Sequence, residues 1–261
     1  KIIKVKGYGV TEKGGKTPDL IEMGDIKGVI HNHSTYSDGL HTLEEMAEHV
    51  RNSGYEYFVI SDHSRSAGYA GGLSEERVMM QWREIELLNA TYGDQFRVFK
   101  GIESDILSDG SLDYPEDILK EFDLVIASVH SILNMDENRA TTRLIKAIEN
   151  PYTRILGHPT GRLLLARPGY PLDFKKIIEA CAQNDVALEL NANPQRLDMD
   201  WTWIPYAMEK DVLISVNPDA HSKGAVHFIR FGVAAARKGG LTIEGCLNSK
   251  SLSEFEAWLA R

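Results

Sequence analysis

Two histidines, His31 and His33, stand two positions apart where an apolar stretch runs into the turn residues Asp38 and Gly39. Residues two apart on an extended strand face the same side, so both imidazoles can reach one point in space. Imidazole is a common neutral metal ligand, and Asp38 could fold back as a harder oxygen donor. Taken alone, the pair is explained equally well as polar residues at the end of a strand.

The same arrangement recurs down the chain. Six of the nine histidines fall at the ends of predicted strands, whereas His41, His49 and His227 fall in loops or helices. Acidic residues join them at the end of the third strand, beside the histidine that follows the seventh strand, and in the first loop. We therefore expect one cavity to be faced by His31, His33, Asp38, His63, Glu103, His130, His158, Asp219 and His221.

The elements that must position these side chains alternate regularly from Ile26 onward. Thr42 followed by Glu45, for example, predicts a capping box at the start of a helix. Apolar strands separated by helices predict a parallel sheet covered by helices, and seven such units predict an α/β barrel of the TIM-like type. Reacting groups in such barrels stand at the C-terminal ends of the strands. The predicted strands are 28–33, 57–63, 96–106, 124–130, 154–159, 186–191 and 212–216.

The size of the polar set indicates more than one metal ion. One ion uses about four ligands, so this set is sufficient for two or three ions that share a bridging carboxylate. Mixed imidazole and carboxylate ligands without thiolate favour zinc, manganese or iron(II) over magnesium or calcium. Cys181 and Cys246 lie far apart, lack Cys-x-x-Cys spacing, and resemble neither ligands nor nucleophiles.

Composition limits the function classes. With 261 residues, 43% of them hydrophobic and 26% charged, the chain can bury one large core. A net charge of −9 and a pI of about 5.5 argue against a domain that grips nucleic acid through a basic surface of its own. No apolar run approaches the roughly 20 residues of a membrane span, and no signal peptide opens the sequence. We expect a cytoplasmic protein without membrane contact, and a monomer.

The first 24 residues stand apart from the alternating pattern. Residues 1–9 predict a strand, and residues 11–18 are typical of a polar linker. We therefore divide the chain into an N-terminal strand and linker (1–24) and a catalytic domain (25–261).

Substrate anchoring is expected from cations in the loops that follow the strands. Arg162 and Arg196 rank highest because each closely follows a strand end, although solvated surface charge also explains cations of this kind. The full set of candidates is Arg65, Arg162, Arg167, Arg196 and Lys223.

Two further pairs have alternative interpretations. Asn191 and Asn193 could orient metal ligands or simply turn the chain before Pro194. Trp201 and Trp203 could stack on a base, but packing at the rim of the barrel is the better explanation of large aromatic residues.

The strand-end motifs are His31-x-His33, Ser37-Asp38-Gly39, Ser61-Asp62-His63, Gly101-x-Glu103, Ser128-Val129-His130, Gly157-His158-Pro159 and Asp219-Ala220-His221. In this order they resemble the motifs of the polymerase and histidinol phosphatase (PHP) family. Within the family, the sequence most resembles the C-terminal PHP domain of bacterial family X DNA polymerases, on stretches such as Leu112–Pro115 and Gly157–Leu164. Residues 1–18 then resemble the tail of a preceding polymerase domain.

The resemblance implies a distorted (β/α)7 TIM-like barrel that holds three divalent metal ions, zinc, manganese or iron. It places one ion on His31, His33, Glu103 and Asp219, a second on Glu103, His130 and His158, and a third on Asp38, His63 and His221. Some family members have histidine where this chain has Asp38, which makes the third site here richer in oxygen.

The function implied is that of a metal-dependent phosphoesterase, in this subfamily a 3′-5′ exonuclease or 3′-phosphatase acting on DNA ends. We expect His130, Arg162 and Arg196 to be its catalytic residues. Two alternatives stay open: a stand-alone phosphatase for a small phosphorylated metabolite such as histidinol phosphate, and a non-catalytic barrel whose metals serve stability.

Overall fold

The computed structural model describes residues 19–260, in which seven strands alternate with helices. The strands are β1 (Gly28–Val29), β2 (Tyr57–Ile60), β3 (Arg97–Asp105), β4 (Leu124–Ser128), β5 (Thr153–Leu156), β6 (Ala187–Asn191) and β7 (Ile214–Asn217). The helices are α1 (Leu43–Asn52), α2 (Glu75–Tyr92), α3 (Glu116–Leu119), α4 (Glu137–Ile148), α5 (Phe174–Gln183), α6 (Ile204–Glu209), α7 (Ile229–Lys238) and α8 (Leu252–Leu259). This order confirms the predicted alternation.

All seven strands are parallel, and each pairs with the next in the chain. The ring closes just beyond β1 and β7, where the His33 amide donates to the Ala220 carbonyl at 2.9 Å and the Ala220 amide donates to the His31 carbonyl at 3.2 Å. β1 is shorter than predicted because His31 has a φ of 63°, which ends regular extended pairing. The result is the nearly closed, distorted TIM-like barrel that the sequence predicted, with its strand ends converging at one mouth.

The inside of the barrel is built in layers, because alternate residues of each strand point inward. On β3, Phe99 belongs to the buried apolar interior, and Glu103, two inward positions further along, is buried at the mouth. On β6, Ala187 and Glu189 repeat this change from apolar to polar. Gly157 is required beyond β5, since a Cβ there would lie 2.2 Å from Ser128 Oγ. The polar mouth of the barrel therefore lies directly above an apolar interior.

The C-terminal helix closes the opposite end of the barrel. On α8, Phe255 and Trp258 are buried within the inner core, and the Phe255 ring stacks on Tyr57 with centroids 4.4 Å apart. On the outside, the predicted capping box of α1 is confirmed. The Glu45 amide donates to Thr42 Oγ1 at 3.2 Å, and the Thr42 amide donates to the Glu45 carboxylate at 2.9 Å.

Residues 19–25 pack against the barrel. Ile21 is fully buried, its amide donates to the Leu241 carbonyl at 3.0 Å, and Leu20 forms an antiparallel bridge with Thr242. The predicted strand at 1–9 and linker at 11–18 lie outside the described residues, so the division at residue 24 stays a prediction. No helix within 19–260 is both long and apolar enough to cross a bilayer.

Candidate metal centre

The nine side chains selected from the sequence come together at the mouth of the barrel. Each strand except β6 contributes at least one of them at or just beyond its end, and Asp38 lies in the loop before α1. Their ligand atoms form four overlapping groups, each with atoms within 4.8 Å of one another. The groups are His33–Asp38–His63–His221, His31–Glu103–His158, His31–His33–Asp219 and His63–Glu103–His130.

Glu103 is the centre of this cluster. Its Oε1 lies 3.2 Å from His31 Nε2, 3.2 Å from His130 Nε2 and 2.9 Å from His158 Nε2. Its Oε2 lies 3.0 Å from His63 Nδ1. One buried carboxylate thus faces imidazoles from four strand ends, which is the position expected of a ligand that bridges two ions.

Asp38 forms the outer edge of the cluster. Its Oδ1 lies 3.3 Å from His221 Nε2, 3.7 Å from His63 Nε2 and 4.0 Å from His33 Nδ1. Since Asp38 is exposed, this group is the part of the cluster most open to solvent.

The loop that carries Asp38 is held by a fully buried carboxylate, Asp62. Asp62 accepts hydrogen bonds from the Ser34 amide at 2.8 Å, Ser37 Oγ at 2.5 Å and Gln81 Nε2 at 2.7 Å. Its bonds run back to the first loop, so Asp62 positions Asp38.

Asp219 completes the inner part of the cluster. Its Oδ1 lies 3.2 Å from His33 Nε2 and 3.7 Å from His31 Nε2, and its Oδ2 accepts from Asn191 Nδ2 at 3.0 Å. Asn191 therefore orients a candidate ligand, which was one of its two interpretations. Both His31 and Asp219 have positive φ, a conformation that costs a non-glycine residue about 1–2 kcal/mol and persists where the surroundings enforce it.

Sequence reasoning missed Glu189, which is fully buried on β6. Its Oε1 lies 2.5 Å from His31 Nδ1 and accepts from Asn217 Nδ2 at 2.8 Å, while its Oε2 accepts from the His158 amide at 2.6 Å. Glu189 therefore fixes the ring of one candidate ligand and the backbone of another. The sequence does contain a signal for such a role, because a charged residue between Leu188 and Leu190 is unusual in an apolar strand.

Asp105 was missed as well. Its carboxylate forms a short contact with His130 Nδ1 and accepts from Ser66 Oγ at 2.8 Å. A carboxylate on the second imidazole nitrogen fixes the orientation and tautomer of a metal-ligating histidine. Asp105 follows Glu103 by two positions on β3, so strand periodicity alone could have identified it.

The acidic neighbours hold protons on three of the histidines, His31, His130 and His221. Burial lowers the pKa of His31, but the charges of Glu189 and Glu103 outweigh burial and raise it well above the ordinary value. Burial likewise lowers the pKa of His130, and Glu103 and Asp105 raise it to about 10. A bound cation would have to replace these protons, because metal binding requires neutral imidazole.

Two other members of the cluster have a lowered pKa. Burial, with repulsion from His221 and His63, lowers the pKa of His33 to about 3. Burial raises the pKa of Asp38, but its hydrogen bond with His221 and the charge of His33 lower the pKa to about 2. The cluster thus keeps anionic carboxylates and a neutral imidazole side by side, which is the donor chemistry that a divalent cation requires.

The hydrogen bonding of the imidazole nitrogens indicates whether these residues are suited to bind metal ions. Among the described residues, four buried nitrogens of the cluster have no hydrogen-bond partner: His31 Nε2, His33 Nδ1, His63 Nδ1 and His158 Nδ1. Buried polar atoms are otherwise nearly always satisfied, so several unpartnered imidazole nitrogens in one carboxylate-containing cluster indicate a divalent-metal site. Cys181 and Cys246 are buried free thiols that belong to none of the four groups.

The two highest-ranked arginines have different surroundings. Arg196 Nε lies 3.5 Å from Asp219 Oδ2, at the edge of the cluster. Arg162 Nε donates to the Arg196 carbonyl at 2.9 Å, and the same guanidinium bonds the Leu197 carbonyl and lies 3.3 Å from Asp200 Oδ2. Arg162 therefore holds the loop that carries Arg196, whereas Arg196 itself faces the candidate ligands.

The remaining candidate cations are engaged elsewhere. Arg65 donates to the Asp113 carbonyl at 2.7 Å, Arg167 donates to the Gly161 carbonyl at 2.7 Å, and Lys223 Nζ forms an ion pair with Glu45 Oε1 at 3.7 Å. Trp203 stacks on Phe174 with centroids 4.9 Å apart, and Trp201 also packs against the core, which confirms packing as their better explanation. The Asn193 side chain accepts from the Gln195 amide at 3.0 Å and so turns the chain.

Fold and cluster together define a class of protein: an α/β barrel with a polar, metal-binding type of centre at the C-terminal ends of its strands. The chain belongs to the PHP domain family, whose family model matches residues 30–193. It is 46% identical over 243 residues to the DNA polymerase/3′-5′ exonuclease PolX of Bacillus subtilis (strain 168), an alignment that covers 93% of this chain and 42% of that protein. The chain thus spans less than half the length of this relative. The predicted resemblance is confirmed.

Other relatives carry phosphatase names. A protein of Thermoanaerobacter sp. (strain X514) named "Probable phosphatase" is 29% identical over 224 residues, which cover 77% of this chain and 88% of that protein. Among solved structures, histidinol phosphate phosphatase from Lactococcus lactis, complexed with zinc, L-histidinol and phosphate, superimposes with a TM-score of 0.57. That match covers 82% of this chain and 94% of that chain at 18% identity, which supports the fold alone.

Proposed function

We propose that this chain is the 3′-end-processing domain of a family X DNA polymerase and hydrolyses phosphoester bonds at DNA 3′ ends. The observation that carries the proposal is the cluster around Glu103, in which four imidazoles lie within about 3.2 Å of one buried carboxylate. The 46% identity to PolX over nearly the whole chain favours DNA as the substrate. The enzyme class is a metal-dependent phosphoesterase.

The site would hold three divalent ions, with zinc, manganese or iron(II) suited to its nitrogen and oxygen donors. The inner groups around Glu103 and Asp219 would hold two, and the group around Asp38 would hold the third. Because His63 lies 3.0 Å from Glu103 and 3.7 Å from Asp38, it joins the group around Glu103 to the group around Asp38. When bound, such ions supply a water-derived nucleophile at neutral pH and neutralise developing charge on the leaving oxygen.

The residues of the chain supply orientation and substrate binding. Asp105 fixes the His130 ring, and Glu189 fixes the His31 ring. Arg196, one-fifth exposed beside Asp219, is the cation that we assign to the substrate phosphate. Arginine is suited to this task because its planar guanidinium can donate two parallel hydrogen bonds to phosphate oxygens.

The test is a comparison of substrates with the purified chain loaded with manganese. We expect release of mononucleotide from a 3′-recessed duplex, or of phosphate from the same duplex ending in a 3′-phosphate. Turnover of histidinol phosphate alone would instead identify a small-molecule phosphatase. If a sample with full metal content hydrolyses none of these substrates, the barrel is a metal-stabilised structural module.

Arg196→Ala should raise KM for the DNA substrate about tenfold or more with a smaller change in kcat, since a charge-assisted phosphate contact contributes about 1.5–3 kcal/mol. Steady-state kinetics of the exonuclease reaction measures this. Arg83→Ala, which removes an exposed arginine on α2, is the matched control and should leave KM unchanged. An unchanged KM in Arg196→Ala would remove Arg196 from phosphate binding.

Glu189→Gln should weaken binding of divalent metal about 10- to 100-fold, which is the usual loss when a residue that hydrogen-bonds a metal ligand is altered. The amide retains one oxygen acceptor but presents an N–H group to either His31 or the His158 amide, both of which the carboxylate now accepts from. Calorimetric titration with manganese measures the affinity. Glu179→Gln, at a surface glutamate that accepts from Tyr206, is the control, and equal affinities in both variants would contradict the assigned role.

A further inference from the structure

One exposed aromatic ring stands over the cluster. Tyr69 lies on a short 3-10 helix, Gly68–Ala70, in the loop between β2 and α2, and is 73% exposed. Its ring centroid lies 6.1 Å from that of His63 and 6.4 Å from that of His130. Its hydroxyl makes no hydrogen bond within the described residues 19–260. A tyrosine in this position can contact a bound ligand with both its apolar ring face and its hydroxyl.

The loop that carries Tyr69 is tied down at both ends. The Ser64 amide donates to the Glu103 carbonyl at 3.0 Å, and the Leu73 amide donates to the His63 carbonyl at 2.9 Å. In between, the Ser66 amide donates to Asp113 Oδ2 at 2.7 Å. Since these bonds fix the backbone on either side, the ring of Tyr69 is presented in a defined position and its stacking costs little conformational entropy.

The loops around the mouth expose further apolar side chains. Leu40 follows β1, Ile132 follows β4 and Leu165 follows β5, and each is at least 45% exposed. The loops around the mouth therefore present exposed apolar side chains beside the charged cluster. A ligand that matches both carries an anionic group beside a flat apolar group, as a nucleotide does and an aliphatic phosphate does not.

We propose that Tyr69 stacks on the nucleobase next to the scissile phosphate and so selects nucleic-acid 3′ ends over phosphoesters without a base. The inference rests on the proposed function, because it assigns the phosphate itself to the metal cluster and Arg196. Base stacking tolerates all four bases, which suits an enzyme that processes ends of any sequence.

The experiment compares two oligonucleotides of equal length and charge, one ending in two ordinary nucleosides and one ending in two abasic sugars. Tyr69→Ala should raise KM about tenfold on the ordinary end and leave the KM for the abasic end unchanged, while Tyr69→Phe keeps the wild-type values. Leu87→Ala removes an equally exposed apolar residue on α2, 71% exposed, and serves as the control. Because Tyr69 is exposed, its truncation should leave Tm unchanged.

A second readout does not depend on turnover. An oligonucleotide with 2-aminopurine at its 3′ end should lose fluorescence on binding the wild-type chain and Tyr69→Phe, but not on binding Tyr69→Ala. If this quenching occurs and no substrate is hydrolysed, the proposed function fails and the stacking role stands. Equal KM increases on both oligonucleotides, an equal loss in Tyr69→Phe, or quenching that persists in Tyr69→Ala would each overturn the stacking role.

Discussion

His130→Ala should lower the turnover of DNA 3′ ends at least about 100-fold, because it removes a candidate metal ligand. Loss of a residue that only hydrogen-bonds a metal ligand already costs about 10- to 100-fold. His130 Nε2 lies 3.2 Å from Glu103 Oε1, and its other nitrogen contacts Asp105. His130 lies at the mouth just beyond β4 and is not part of the apolar interior of the barrel, so its removal should leave that interior unchanged. Circular dichroism should therefore be nearly unchanged while kcat falls.

The matched control is His227→Ala, which removes an exposed histidine whose ring meets His49 at 5.7 Å. This variant should retain wild-type kcat and metal content. Asp105→Asn should show a smaller loss than His130→Ala, since it alters only the group that orients the ring. Full activity in metal-loaded His130→Ala would exclude His130 from the reaction.

Removal of bound metal should abolish turnover and lower the Tm of the chain by roughly 8–16 °C. Metal at a thousandfold excess over its Kd stabilises the folded state by about 4 kcal/mol, and each kcal/mol moves Tm by about 2–4 °C in a protein of this size. The physical source is the buried cluster. Without cations, the Glu103 and Asp219 carboxylates depend on protonated imidazoles for compensation.

Differential scanning calorimetry before and after chelation measures this change, with metal content determined on each sample. Adding manganese back should restore both Tm and activity. A Glu103→Gln variant provides the comparison, since it lacks the central carboxylate and its Tm should respond little to manganese. A metal-free sample whose Tm matches that of the loaded protein would contradict the stabilising role.

Sequence periodicity determined most of the architecture. Apolar strands and amphipathic helices alternate because each element must bury one face or stripe. This requirement determines the spacing of apolar residues within each element, so it can be recognised from a short stretch of sequence. The capping box of Thr42 and Glu45 is equally local, and the structure places it as predicted. Because parallel strands of a barrel share one end, the polar residues at strand ends, together with Asp38 in the first loop, were enough to identify all nine members of the cluster.

The tertiary structure decided how these members are grouped and which neighbours serve them. Arg162 and Arg196 look alike in sequence, yet only ring closure and the folding of one loop determine that Arg196 faces Asp219 while Arg162 binds backbone carbonyls. Glu189 acquires its role from His31, 158 positions earlier in the chain. Local spacing fixes which residues reach the mouth, but the distances between side chains from different strands depend on strand register and backbone strain, which arise only when the whole barrel packs.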